Sequence, residues 1–156
     1  PKPILKDNNL VPLIKDNINF LNELDTNIAI NFKTNKSPII LNSDNEQLNR
    51  VFFNLIKNSV ESIQDKKLNN LNFKGTIDII LNDNGLIIDF IIIDNGLGFE
   101  MFADNIKNIL NPYFTTKEKG TGLGLAIVNK IINDHNGKID FVSIQDGAKI
   151  QIIFIK

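Results

Sequence analysis

The sequence predicts an α+β fold: a two-layer α/β sandwich in which about three helices cover a mixed, mostly antiparallel sheet. Three observations carry that expectation. Segments with a helical apolar period are interleaved with short apolar strands. Turn signals at Asn82-Asp83-Asn84-Gly85 and at Asp146-Gly147 join pairs of those strands into hairpins. The 156 residues show no internal repeat and no compositional break, which suits one domain.

Taken in order, residues 1–9 (PKPILKDNN) hold two prolines and no apolar period, and read as a linker from an upstream region. Residues 10–156 then form a single domain. Leu10, Leu13, Ile14, Ile18, Leu21 and Leu24 recur at helical spacing. Ile28, Ile30 and Phe32 alternate with polar residues as a half-buried strand, and residues 39–41 give a second, short one. Asp44 is placed to cap a long helix reaching about Lys66, with Gln47 at the capping-box position. Residues 69–75 read as a loop, and 76–81 with 86–93 as a hairpin. A short helix is expected within 99–110, an irregular polar stretch over 111–120, and a helix over 121–134. His135 falls in the last turn of that helix, where it suits the helix dipole, ahead of an expected glycine cap at Gly137. Residues 138–143 and 149–155 form the last hairpin.

Composition excludes several classes of function. The absence of cysteine removes disulfides and Cys-ligated metal sites, and a single histidine removes a multi-His centre. A net charge of −1 argues against non-specific binding to nucleic acid or to anionic membranes. The longest apolar stretch, Leu86 to Ile93, is interrupted by Asp89 and is too short to span a bilayer.

Three local patterns carry chemistry. Asp94-Asn95-Gly96-Leu97-Gly98 directly follows a very apolar strand. A carboxylate there is costly without a partner, and Gly96 and Gly98 let the backbone turn and a flat ligand come close. Gly120-Thr121-Gly122-Leu123-Gly124 opens a helix, where free N–H groups and the helix dipole attract anions. Its spacing matches neither the dinucleotide fingerprint nor a Walker A loop. On the long helix, Gln47, Arg50, Asn54, Lys57, Asn58, Glu61 and Asp65 share an arc of about 100°. Asn54 and Asn58 are weak mid-helix residues, and at i, i+4 they aim two amides at one place beside Glu61. Such oxygens suit Mg²⁺ facing a phosphate-rich ligand. Between the glycine patterns, Lys117 is placed to reach a terminal phosphate.

Together these residues resemble the catalytic ATP-binding domain of bacterial sensor histidine kinases, in the GHKL superfamily. Residues 54–62 (NLIKNSVES) are similar to its N box and 94–99 (DNGLGF) to its G1 box. Residues 113–117 (YFTTK) are similar to the F box, and 120–127 (GTGLGLAI) to the G2 box. The order matches and the resemblance covers nearly the whole chain, with wording most like the nitrogen-regulation type of sensor kinase.

The resemblance implies ATP and magnesium as cofactors. It implies that Asn58 ligates Mg²⁺, with Asn54 and Glu61 at the same face, and that Asp94 accepts from the adenine amine above Gly96 and Gly98. It implies that Lys57, Phe114, Thr115, Thr116, Lys117, Gly120, Thr121, Gly122, Leu123 and Gly124 contact ATP, with 115–120 in a lid. Asn54 and Lys117 are the candidate catalytic residues. ATP-hydrolysing members of the superfamily carry glutamate at the position of Asn54. An amide cannot take a proton from water, so this chain resembles an enzyme that delivers phosphate to another acceptor.

Ser59 departs from the family's usual alanine. Residues 147–150 lack a threonine common there, which puts a water-mediated adenine contact in doubt. His135 matches a structural histidine. The expected partners are therefore ATP, an upstream dimerisation and phospho-acceptor domain of the same protein, and indirectly a response regulator. No contact with nucleic acid or membrane is expected of the domain itself, and its expected location is the cytoplasmic side of a membrane-bound sensor kinase. The alternatives are a GHKL-type ATPase and a non-catalytic nucleotide-binding module.

Overall fold

The computed structural model describes residues 1–98 and 124–156. Its elements are β1 (Lys6–Asn9), α1 (Leu10–Leu24), β2 (Ala29–Thr34), β3 (Ile40–Ser43), α2 (Asn45–Leu68), β4 (Thr76–Asp83), β5 (Ile87–Asp94), α3 (Gly124–Asp134), β6 (Gly137–Ile144) and β7 (Gly147–Ile155). The main sheet has the order β2-β4-β5-β7-β6. Only its edge pair β2–β4 is parallel, and the other three pairings are antiparallel. The expected α/β sandwich with a mixed sheet is therefore observed. The helix expected within 99–110 lies outside the described residues.

Strand periodicity explains which face is covered. On β4 and β5, Ile77, Ile79, Leu81, Ile88, Phe90 and Ile92 point to one side and are fully or almost fully buried. On β7, Ile150, Ile152 and Phe154 continue that face. α2 lays Leu48, Val51, Phe52, Leu55, Ile56, Val60 and Ile63 on it, and all these residues join one hydrophobic cluster. The Phe52 and Phe90 rings meet at 5.0 Å with a 47° tilt, which locks the centre of the helix to the central strand. α1 and α3 flank α2 on the same side.

The reading of residues 1–9 as a linker needs correction at its second half. Lys6–Asn9 form β1, which pairs antiparallel with β3 from Lys6↔Ser43 to Asn9↔Ile40. Backbone pairing requires no apolar period, so a polar strand such as KDNN escapes a hydropathy reading. Asn9 also caps α1 through its side-chain oxygen, which accepts from Val11 N at 3.2 Å and from Ile39 N at 3.2 Å.

The expected cap of α2 is present: Asp44 Oδ1 accepts from Gln47 N at 3.1 Å. The reciprocal half of a capping box is made differently. Asp44 N donates to His135 Nε2 at 3.0 Å, while the Gln47 side chain donates to Pro1 O. His135 is buried, and its Nδ1 lies 2.7 Å from Ile131 O. An Nδ1–H that donates to that carbonyl leaves Nε2 as the acceptor, so the ring is the neutral Nδ1–H tautomer. Its structural role is as expected, but the glycine cap is not. Asn136 takes the left-handed conformation after α3, at φ 56°, and Gly137 already begins β6.

Candidate functional site

Helix geometry sets the first wall of the site. With the apolar stripe of α2 fixed on the sheet, the residues one-third of a turn away must face outward. Asn54, Asn58 and Glu61 are half-buried there, and Lys57 is exposed. Lys57 Nζ lies 3.8 Å from Glu61 Oε1, an i, i+4 ion pair in which the lysine remains about half exposed. The amides of Asn54 and Asn58 thus share a helix face with one paired carboxylate.

α3 supplies the second wall. A methyl group placed on Gly124, its first residue, would lie 3.9 Å from Asn54 Oδ1. The start of α3, the end at which a helix's N–H groups point outward, is therefore next to the Asn54 amide of α2. Of the residues assigned to the phosphate loop, Gly124 is the one described, and it lies close to Asn54. Phe114, Thr115, Thr116, Lys117, Gly120, Thr121, Gly122 and Leu123 lie outside the described residues.

The end of β5 supplies the floor. Asp94 is the last residue of the strand and is buried, 6% exposed, the only carboxylate besides Asp83 so enclosed among the described residues. Its Oδ1 accepts from Gly96 N at 2.9 Å. Burial pushes the Asp94 pKa up. The Gly96 N–H, the Ser59 hydroxyl and the Lys66 charge pull it down without cancelling that rise. Among the described residues two hydrogen-bond donors reach it, Gly96 N–H and the Ser59 hydroxyl, fewer than a carboxylate can accept, and a buried carboxylate is a strong attractor for an N–H donor of a ligand.

Two glycines allow the turn. A side chain on Gly96 would run into Ser62, including its backbone carbonyl carbon at 2.8 Å. Gly98 has φ 75°, and a side chain there would meet the Gly147 carbonyl. Gly147 in turn leaves no room for a side chain beside the Asp94 carbonyl. The turn after β5 is thus held between α2 and the start of β7. Asn95 ties it to β4 as well: its Oδ1 accepts from Thr76 N at 2.8 Å and its Nδ2 donates to Lys74 O at 3.0 Å.

Three residues that the sequence reading did not place in the site support this floor. Ser59 donates to Asp94. Ser62 Oγ accepts from Leu97 N at 2.9 Å. Lys66 Nζ donates to Asn95 O at 2.9 Å and to Gly96 O at 3.4 Å. Their spacing, i, i+3, i+7, puts them on one stripe of α2, and small residues on a stripe otherwise apolar were the available signal.

The donor set fits a hard cation beside phosphates. Among the described residues, no group of three His, Asp or Glu side chains forms a metal cage. A cation here would rest on amide oxygens and on its ligand's own phosphates, the manner in which Mg²⁺ is usually held. Among the described residues, no helix is long and apolar enough to cross a membrane.

Comparison with known proteins agrees with this geometry. Residues 43–156 match the family model of histidine kinase-, DNA gyrase B-, and HSP90-like ATPases. A Rickettsia prowazekii (strain Madrid E) protein, described as an NtrY-like sensor histidine kinase, is 36% identical over 155 residues, covering 99% of this chain and 24% of its own length. Sporulation kinase A of Bacillus subtilis (strain 168) is 38% identical over 130 residues, 83% of this chain and 20% of its own. The chain thus spans about a quarter of the length of such relatives. Among solved structures, a nucleotide-free catalytic domain of histidine kinase ThkA superposes with a TM-score of 0.84 at 27% identity, covering 98% of both chains. The mycobacterial sensor histidine kinase MprB shares the fold at TM-score 0.81 and 18% identity, over 97% of each chain.

Proposed function

Since the chain belongs to the family of histidine kinase-, DNA gyrase B-, and HSP90-like ATPases, we propose that it is the catalytic ATP-binding domain of a two-component sensor histidine kinase. In this reading it transfers the γ-phosphate of ATP to a histidine on a dimerisation domain elsewhere in the same protein. That histidine then serves a response regulator. The observation that carries the reading is Asp94, a buried carboxylate at a strand end, held by a turn pressed against the helix that bears Asn54 and Asn58.

Each residue has a distinct task. Asp94 accepts from the exocyclic amine of adenine, and the purine ring lies against the turn that Gly96 and Gly98 let pack tightly on α2 and the start of β7. The N–H groups at the start of α3, together with Gly120, Thr121, Gly122, Leu123 and Gly124, face the phosphates. Phe114, Thr115, Thr116, Lys117 and Lys57 are assigned to nucleotide contact, with the Lys117 charge for the terminal phosphate. Asn58, with Asn54 and Glu61, would hold Mg²⁺, which neutralises phosphate charge when bound. Asn54 stands where an ATPase needs a base. Its amide takes no proton from water, so phosphate is reserved for a positioned acceptor. In this reading the domain works on the cytoplasmic side of the parent protein, where it would meet ATP.

Calorimetry tests the reading. ATP should bind with Mg²⁺ and more weakly with EDTA, and Asn58→Ala should remove most of that difference. GTP, which offers a carbonyl where Asp94 needs a donor, should bind poorly. Equal binding of ATP and GTP would refute the adenine assignment. Equal binding with and without EDTA would refute the metal assignment.

A further inference from the structure

Lys66 lies near the end of α2, where a basic side chain usually serves the helix's own last carbonyls. Here it does something else. Its ammonium sits 4.6 Å from the centroid of the Phe73 ring and donates to two carbonyls of the turn after β5, those of Asn95 and Gly96. The opposite edges of the same two peptide planes carry the other bonds of the turn. A trans peptide points its C=O and its N–H in opposite directions. In the 95–96 peptide, the C=O meets Lys66 and the N–H of Gly96 meets Asp94 Oδ1 at 2.9 Å. In the 96–97 peptide, the C=O meets Lys66 and the N–H of Leu97 meets Ser62 Oγ at 2.9 Å. One cation therefore fixes two planes whose far edges orient the Asp94 carboxylate and anchor the turn on α2. Gly96, the residue between the planes, is the one most able to rotate if the cation is removed.

We propose that Lys66 is a positioning residue for base recognition, acting through the Asn95-Gly96-Leu97 peptides to aim Asp94 at the exocyclic amine of the nucleobase. The proposal rests on the ATP-binding reading. Phe73 is part of the device, because its ring face holds the ammonium where it spans both carbonyls. Lys66 touches no ligand in this scheme. Its loss disturbs the amine contact and leaves the phosphate contacts of α3 and the amides of α2 in place.

The test compares ATP with purine riboside triphosphate, which lacks only the exocyclic amine, by calorimetry on the whole chain. Wild type should prefer ATP. Lys66→Met should weaken ATP about tenfold and the analogue by no more than about twofold, so that discrimination falls. Lys66→Arg, which can still donate to both carbonyls, should retain most of it. Equal weakening of both nucleotides by Lys66→Met, or unchanged discrimination, overturns the role of Lys66 alone. If circular dichroism shows Lys66→Met unfolded, Lys66→Gln replaces it and the same two outcomes decide. A wild type that binds neither nucleotide overturns the ATP-binding reading, and this role with it.

Discussion

His135 Nε2 accepts the backbone N–H of Asp44 at 3.0 Å across 91 positions of sequence, joining the end of α3 to the start of α2. Asp44 Oδ2 meanwhile accepts from Ile4 N at 2.8 Å. One residue thus gathers the incoming chain and the ends of both helices.

His135→Ala should leave the Asp44 N–H without its partner at a largely buried junction. The expected loss is about 1–3 kcal/mol, seen as a fall of several degrees in melting temperature. Because both ring nitrogens are engaged and the residue is buried, His135 should take no label from γ-labelled ATP. Label at this position would contradict its structural role.

Asp94 and stability should pull in opposite directions. A carboxylate with a raised folded pKa adds stability below its unfolded value near 3.8, and that contribution is lost as pH rises through the folded value. Above its folded pKa the ionised Asp94 therefore burdens the nucleotide-free domain. Asp94→Asn should leave its urea midpoint at pH 7 equal or higher while weakening ATP about 10- to 100-fold, the worth of a charge-assisted hydrogen bond. A mutant that is both less stable and still ATP-competent would reverse the assignment.

Asp83 has the opposite sign. Burial alone would raise its pKa. Lys156 at 2.8 Å, the Gly85 N–H at 2.8 Å and Lys36 at 3.2 Å outweigh burial and hold it at about 2. A depressed carboxylate adds stability above its unfolded pKa of 3.8, which is lost as pH falls toward 2. The contribution is about 2 kcal/mol. Urea titrations from pH 6 to pH 2 should show wild type converging on Asp83→Asn at the acid end. Parallel curves would exclude the ion pairs as the cause.

Gly96→Ala should separate binding from folding. Its methyl would strike Ser62 and push the turn off α2. The collision is confined to the turn and one small side chain near the end of α2, so we expect ATP affinity to fall at least tenfold with a loss of stability of only about 1–3 kcal/mol. Calorimetry beside thermal unfolding reads both, and a purely thermal effect would show that the turn is not part of the site.

Much of the site is legible because it is periodic or adjacent in sequence. Asn54, Asn58 and Glu61 fall on one face by helix geometry alone, and Asp94 with Gly96 and Gly98 announces itself at the end of an apolar strand. What escapes is what only tertiary packing creates. Ser59, Ser62 and Lys66 read as ordinary helix residues until the turn 29 or more positions later comes down on them. β1 is invisible for a different reason: its four residues pair through backbone atoms, which carry no side-chain pattern. The His135–Asp44 bond likewise has no local signature.

The parallel pairing of β2 with β4 has a kinetic consequence. A parallel pair cannot be closed by a tight turn, and here β3 and the whole of α2 intervene in the chain. The edge of the sheet can zip only after α2 has docked, whereas β4–β5 and β6–β7 can form as local hairpins. Substitutions on the core face of α2, such as Phe52→Leu, should therefore slow refolding. Those on its amide face, such as Asn58→Ala, should leave the refolding arm of a chevron unchanged. The helix proposed to hold the ligand would then be assembled early by one face and used late by the other.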